Sequence, residues 1–255
     1  MLEKEKLEQE MNNAIKWIKQ YVQNAGANGV IIGNSGGKDS ATVLAMASKA
    51  IGKEKILAVS MPCNSQNSDI EDAELVAKNF GVKNIKVDLS NTYNGMEREI
   101  NLKLDQNLSK ESTINIKPRL RMTTLYGIAQ TLGYLVIGTG NLCESMVGYT
   151  TKWGDNSSDF NPIGNFTVKE VLEIGKILGV PEKILKKAPS DGLGLETDEE
   201  KMGIKYSQIE EMIETGSTEE KAKEEIIKRY KSSKHKRSLV AVYTFERRNL
   251  LKEKE

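Results

Sequence analysis

Residues 29–51, GVIIGNSGGKDSATVLAMASKAI, leave the backbone few choices. GVIIG is short and wholly apolar or small, which reads as a strand buried on both faces. The Gly/Ser stretch after it continues neither a strand nor a helix. From Asp39 to Ile51 the chain is alanine-rich and helical in pattern. The stretch therefore reads as strand, anion-cradling loop and helix, one unit of a chain in which strands alternate with helices.

The surrounding pattern repeats that unit. KILAVSMP (55–62), NIKVDLS (84–90) and YLVIGTGN (134–141) predict further strands. Helices are predicted over 39–51, over 69–80 with Ser68 and Asp69 as capping residues, and over 93–110 and 118–132. Leu7, Met11, Ala14, Ile15, Ile18, Tyr21 and Val22 recur at helical spacing and predict an opening helix. The expected architecture is a doubly wound parallel sheet with helices on both faces. In such sheets ligands bind beyond the carboxyl ends of the strands. The loops at 33–40, 61–69 and 138–144 each follow such an end, so one mouth would collect all three.

Beyond residue 145 the pattern changes. GYTTKWGDNSSDFNP (148–162) is polar and aperiodic, helices are predicted at 167–178 and 181–187, and APSDGLGLETDEE (188–200) has the composition of a mobile loop. Helices then dominate, and residues 221–255 hold 12 Lys/Arg against 5 Asp/Glu. No linker divides the chain, so residues 1–255 are expected to form one domain.

Charge and composition remove several classes of function. Lys+Arg 37 against Asp+Glu 36, with 5% aromatics, gives neither a basic field nor a stacking platform for nucleic acid. Cys63 and Cys143 form no C-x-x-C pair, which favours a reducing, cytoplasmic setting over a disulfide framework. MLEKEKLEQEM has no apolar leader segment, and no 18-residue apolar run is present to span a membrane.

The Gly/Ser loop points to phosphate. Gly36 and Gly37 let backbone N–H groups approach an anion, Ser35 and Ser40 add hydroxyls, and a helix N-terminus follows. The Walker A loop, G-x-x-x-x-G-K-[ST], does not fit: its first glycine would fall on Ile32, and Asp39 follows Lys38. A carboxylate beside bound phosphate requires a bridging cation. Glu144 is open to two readings, a helix-start carboxylate or an oxygen ligand that pairs with Asp39. Arg119 and Arg121 lie two apart and point to different helix faces, so only one serves a given site.

S-G-G-x-D-S resembles the pyrophosphate loop of the N-type ATP pyrophosphatases, which split ATP between its α and β phosphates. That resemblance implies an adenine nucleotide alpha-hydrolase-like fold. The ordered series KPRLRMTTLYGIAQ (117–130), GTGNLCESMVGYTTKWGD (138–155), DFNPIGNFT (159–167), KKAPSDGL (186–193), DEEKMGIKY (198–206) and HKR (235–237) is similar to that of ammonia-dependent NAD synthetases over nearly the whole chain. The resemblance implies that Gly33, Asn34, Ser35, Gly36, Gly37, Lys38, Asp39 and Ser40 wrap the phosphates of ATP, the co-substrate. Thr139 and Ser190 would also contact ATP, and Asp39 and Glu144 would hold Mg²⁺. Arg119, Lys152, Asp159, His235 and Lys236 would contact deamido-NAD. It also implies ammonia as nitrogen donor, no glutaminase domain, a homodimer, and neither nucleic acid nor membrane as partner. The segment around 188–200 would shield a reactive adenylate from water.

One position departs from that family. The resemblance places an ATP-contacting lysine where this chain has Val168, so either Lys169 or Lys38 would have to supply the charge. A tRNA-modifying enzyme of the same superfamily is the first alternative, and a nucleotide-binding regulatory module without catalysis is the second.

Overall fold

The opening helix α1 (Lys4–Asn24) buries Leu7, Met11, Ile18 and Val22, the stripe its spacing predicts. The computed structural model describes residues 2–65, 67–187 and 197–243. The strands are β1 (Gly29–Gly33), β2 (Ile56–Ser60), β3 (Lys83–Lys86) and β4 (Tyr134–Val136), all parallel in the order β3-β2-β1-β4. Between them run α2 (Lys38–Ile51), α3 (Asn67–Phe80), α4 (Ser90–Leu104) and α5 (Lys110–Leu132). After β4 come α6 (Leu142–Val147), α7 (Val168–Leu178), α8 (Glu182–Leu185), α9 (Asp198–Met202), α10 (Tyr206–Thr215) and α11 (Glu220–Ser232).

Strand alternation divides the core. Val30, Ile32, Ile56 and Ala58 pack with α1, α2, α7 and α8, while Ile31, Leu57, Val59 and Val136 pack with Tyr93 of α4 and Met122, Leu125 and Ala129 of α5. Successive residues of one strand thus serve opposite layers, which is what an uninterrupted apolar strand is for. A third cluster joins Cys143 and Val147 of α6 to Val168, to Ile209 of α10 and to Ile226 of α11. The doubly wound sheet is the architecture the sequence pattern predicts.

The helix boundaries after β3 differ from the prediction. The break lies at 105–109, where Asp105 takes a left-handed conformation and Ser109 accepts from the Ser112 N–H at 3.2 Å to start α5. Pro118, expected near a helix start, lies inside α5. Its ring removes one intrahelical hydrogen bond, but it is buried and packs beside Gly154 of the 148–156 loop. Tertiary packing overrides the local preference here.

Strand lengths are also shorter than the apolar runs. β4 ends at Val136 because Gly138 donates to the Phe160 carbonyl at 2.7 Å, turning the chain out of the ladder. The α7 start follows the sequence closely. Thr167 accepts from the Glu170 N–H, and the Glu170 carboxylate accepts from the Thr167 N–H, with both residues buried. Thr167→Ala is therefore expected to lower stability by about 1–2 kcal/mol, read from the urea unfolding midpoint. An unchanged midpoint would remove the cap's role.

Candidate functional site

The loop between β1 and α2 stands at the carboxyl edge of the sheet, beside the loops that leave β2 and β4. Asn34 fixes it from below. Its N–H donates to the Val59 carbonyl at 2.9 Å, and its side-chain amide donates to the Ala73 carbonyl at 2.8 Å and to Asn84 Oδ1 at 3.2 Å. Asn34 Oδ1 accepts from the Gly36 N–H at 3.4 Å. Asn34 is thus a buried bolt between the loop, the sheet and α3, a task its position in the motif did not disclose.

Above that bolt the loop is polar and open at one helix end. The Gly37 N–H donates to Ser35 Oγ at 3.2 Å, Ser35 and Ser40 hydroxyls lie 3.0 Å apart, and Ser40 Oγ donates to the Gly37 carbonyl at 3.1 Å. Gly37 occupies the cap position of α2, and no side chain caps that helix. The first-turn N–H groups therefore face the mouth, with the positive end of the helix dipole behind them. Gly33 is half-buried, closing β1 under Leu125 and Met61.

Asp39 meets Glu144 across this mouth through Asn141. Asn141 Nδ2 donates to Asp39 Oδ1 at 3.2 Å, and Asn141 Oδ1 accepts from the Glu144 N–H at 3.0 Å. Glu144 Oε2 in turn accepts from the Asn141 N–H at 2.9 Å, completing a capping box on α6. Glu144 is thus a helix-start carboxylate, and it also faces Asp39. Burial first, then the Asp39 charge, push the Glu144 carboxyl above its ordinary range. Sequence reasoning missed Asn141, although the N-x-x-E spacing of a capping box was there to be read.

Two facing carboxylates with an amide between them form an oxygen donor set that suits a hard cation. Among the described residues, no group of three or more His, Cys, Asp or Glu is placed to hold a metal. Mg²⁺ fits such a site, because it keeps several waters and takes one or two carboxylates together with substrate phosphates.

Lys38, the residue before Asp39, folds inward. Its ammonium donates to Asp39 Oδ2 at 2.9 Å and lies 5.8 Å from the centre of the Tyr206 ring, and the residue is 7% exposed. Burial alone would lower its pKa, but Asp39, Glu144 and Asp198 hold it above the ordinary lysine value. Asp198 accepts from Tyr149 and Tyr206 hydroxyls at 3.1 and 3.4 Å, tying α9 and α10 to the same corner. Val168 is buried in the third apolar cluster, and the Lys169 ammonium pairs with Glu210 at 3.1 Å.

The second half of the mouth is cationic. Arg119 Nε on α5 donates to the Lys152 carbonyl at 3.2 Å, and the Lys152 ammonium lies 5.2 Å from the Trp153 ring centre. The Lys236 ammonium donates to the Gly148 and Thr150 carbonyls at 2.8 and 2.5 Å, clamping the same loop. Burial and the neighbouring Arg119 charge push Lys236 below the ordinary lysine value. His235 is exposed in the 3-10 turn Lys234–Lys236. Arg121 points to the other face of α5, as its spacing predicts, and donates to the Met61 carbonyl at 3.1 Å.

Asp159 is bonded at the end of β4. Its carboxylate accepts from the Val136 N–H at 2.7 Å and from the Tyr126 hydroxyl at 3.2 Å, so it fastens the end of β4. Burial and the Asp159 charge push Tyr126 up to about 12. The Tyr21 hydroxyl donates to the Asp159 carbonyl, and its ring stacks on Phe160 with centres 4.6 Å apart. Thr139 is half-buried in the turn between β4 and α6. Ser190, and most of the segment expected to shield the site, lie outside the described residues.

Comparison with known proteins gives a consistent set. The family model for NAD synthase matches residues 10–244. The NH(3)-dependent NAD(+) synthetase of Carboxydothermus hydrogenoformans is 41% identical over 236 residues, covering 92% of this chain and 97% of its own. The structure of an NMN synthetase from Francisella tularensis matches with a TM-score of 0.88 at 32% identity, over 94% of this chain and 99% of that one. An NH3-dependent NAD synthetase from Campylobacter jejuni, in complex with the nitrate ion, matches at 0.77 and 25% identity over 93% and 99%. Among the described residues no helix is long and apolar enough to cross a membrane.

Proposed function

The chain belongs to the NAD synthase family, and from that premise we propose that it amidates deamido-NAD with ammonia at the expense of ATP, giving NAD, AMP and pyrophosphate. The observation that carries this reading is the pairing of the uncapped N-terminus of α2 with the Asp39–Asn141–Glu144 constellation. It supplies N–H groups for phosphate and oxygen ligands for a cation in one mouth.

The chemistry needs positioning more than a nucleophilic side chain. A free carboxylate is a poor acyl donor because its leaving group would be oxide. Attack of the nicotinate carboxylate on the α-phosphate of ATP forms an acyl-adenylate and releases pyrophosphate. Ammonia then attacks the acyl carbon, AMP leaves, and the amide remains. Ser35, Ser40 and the first N–H groups of α2 orient the phosphates. Asp39 and Glu144 would hold Mg²⁺, which would supply positive charge beside the phosphates. Arg119, Lys152, Asp159, His235 and Lys236 supply charged or polar contacts for the acid substrate. Lys236 shapes the 148–156 loop on which Lys152 stands, and Asp159 holds the Tyr21–Phe160 wall. Thr139 and Ser190 complete the ATP contacts.

Family resemblance also supports a homodimer. Met96, Leu102 and Leu104, which α4 leaves exposed, offer apolar surface for pairing.

The test is product stoichiometry. With ATP, Mg²⁺, deamido-NAD and ammonium, the purified protein is expected to form AMP and NAD in equal amounts without glutamine. AMP that appears only with tRNA, or no AMP at all, would defeat the reading. A mononucleotide acid is the second candidate substrate, favoured by the closer structural match to the Francisella tularensis NMN synthetase. The ratio of kcat/KM for deamido-NAD to that for nicotinate mononucleotide decides between the two, and a ratio below one selects the mononucleotide.

A further inference from the structure

Lys38 sits where a lysine is locally unfavourable. It is the first residue of α2, and a cation there opposes the helix dipole. A lysine serving only as a surface charge would extend into solvent and keep its hydration. This one is 7% exposed and turned onto the carboxylate of its own neighbour. Among the described residues, Lys38 is the only cation paired with Asp39.

The charges explain the placement. Asp39 and Glu144 come from segments more than a hundred residues apart, and Asn141 brings them to one mouth. Without a counter-charge they would repel, and the loop joined to α6 through Asn141 would open. Lys38, packed against the Tyr206 ring, supplies that counter-charge from within the loop.

We infer that the Lys38 ammonium is a resident cation of this site: it holds Asp39 and Glu144 together in the nucleotide-free protein and is displaced when a divalent cation arrives with ATP. This rests on the proposed roles of Asp39 and Glu144 as Mg²⁺ ligands. Free divalent cation must compete with an ammonium already in place, so its binding alone is weak. Cation bound to ATP brings phosphate oxygens that give Lys38 a new partner, and the flexible four-carbon stem allows the exchange. The site is thereby tuned to take metal and nucleotide together.

The test is Mn²⁺ binding to the full chain, followed by electron paramagnetic resonance. Without nucleotide, Lys38→Met is expected to bind Mn²⁺ about tenfold tighter than the parent, because a competing positive charge has gone. With α,β-methylene-ATP present, that advantage is expected to vanish or reverse. A merely structural lysine would give the opposite sign, since a loosened site binds metal more weakly. Unchanged or weaker Mn²⁺ binding without nucleotide would overturn the inference. Lys38→Gln, whose amide can still reach Asp39, repeats the test should the methionine variant fail to fold. Asp39→Asn is the separate control: if it binds Mn²⁺ as the parent does, the ligand assignment itself fails.

Discussion

Replacing Asp39 by asparagine is expected to lower kcat/KM for ATP about 10³-fold, near 4 kcal/mol of transition-state stabilisation. The amide keeps the shape of the side chain and still accepts from Asn141 Nδ2, now at 3.2 Å from Asp39 Oδ1. Lys38 loses its nearest partner but keeps the carboxylates of Glu144 and Asp198. The melting midpoint should therefore move little. What disappears is the negative charge that would bind Mg²⁺ beside the phosphates, and a neutral amide is a weak ligand for that ion. The measurement is steady-state AMP formation at saturating ammonium, with a thermal melt on the same sample. Activity within tenfold of the parent would remove Asp39 from the metal site.

The second large effect concerns Gly36. Its φ is +73°, and a Cβ there would lie 2.8 Å from the Ala73 nitrogen, the Asp69 carbonyl oxygen and Asp72 Cβ. Two of those three contacts are backbone of α3, which cannot step aside as a flexible side chain would. Gly36→Ala is expected to destabilise the protein by about 2–4 kcal/mol, combining the left-handed backbone cost with overpacking. Gly179→Ala supplies the control, because Gly179 has φ +80° but nothing within 4 Å of a Cβ. It should cost only the backbone part, about 1–2 kcal/mol. Urea midpoints of the two variants separate the contributions. Equal midpoints would mean that the phosphate loop does not press on α3. Asp72 also pairs with Lys183 and Lys187 at 2.6 and 2.7 Å. Strain at Gly36 therefore reaches the residues that precede the segment expected to cover the site, and the KM for ATP should rise with the loss of stability.

Much of the architecture was legible because it is written locally. An apolar run is buried whichever neighbours it acquires, and two glycines between serines form a turn in any context. The places where reading failed are those where packing chose between local options. Pro118 looked like a helix start, yet it is interior to α5 because burial beside Gly154 outweighs one lost hydrogen bond. The apolar run through Ile137 looked like strand, but Phe160 captures the next N–H and ends the ladder at Val136. Asn34 belongs to the loop motif, and packing adds a task that no local pattern discloses: its side-chain amide donates to the Ala73 carbonyl and to Asn84.

The sequence by itself determined a parallel sheet, a glycine- and serine-rich loop after its first strand, and a carboxylate, Asp39, at the end of that loop. Those follow from periodicity, glycine and charge, which are properties of contiguous residues. Only the tertiary structure decided what Asp39 faces. The order β3-β2-β1-β4 sets β4 beside β1, and that adjacency carries Asn141 and Glu144 to the mouth of the loop. It likewise turned Lys38 inward, paired Lys169 with Glu210, and gathered Arg119, Lys152 and Lys236 around one loop. The physical reason is distance along the chain. A charge's partner depends on which loops the strand order makes neighbours, and no local pattern encodes that order.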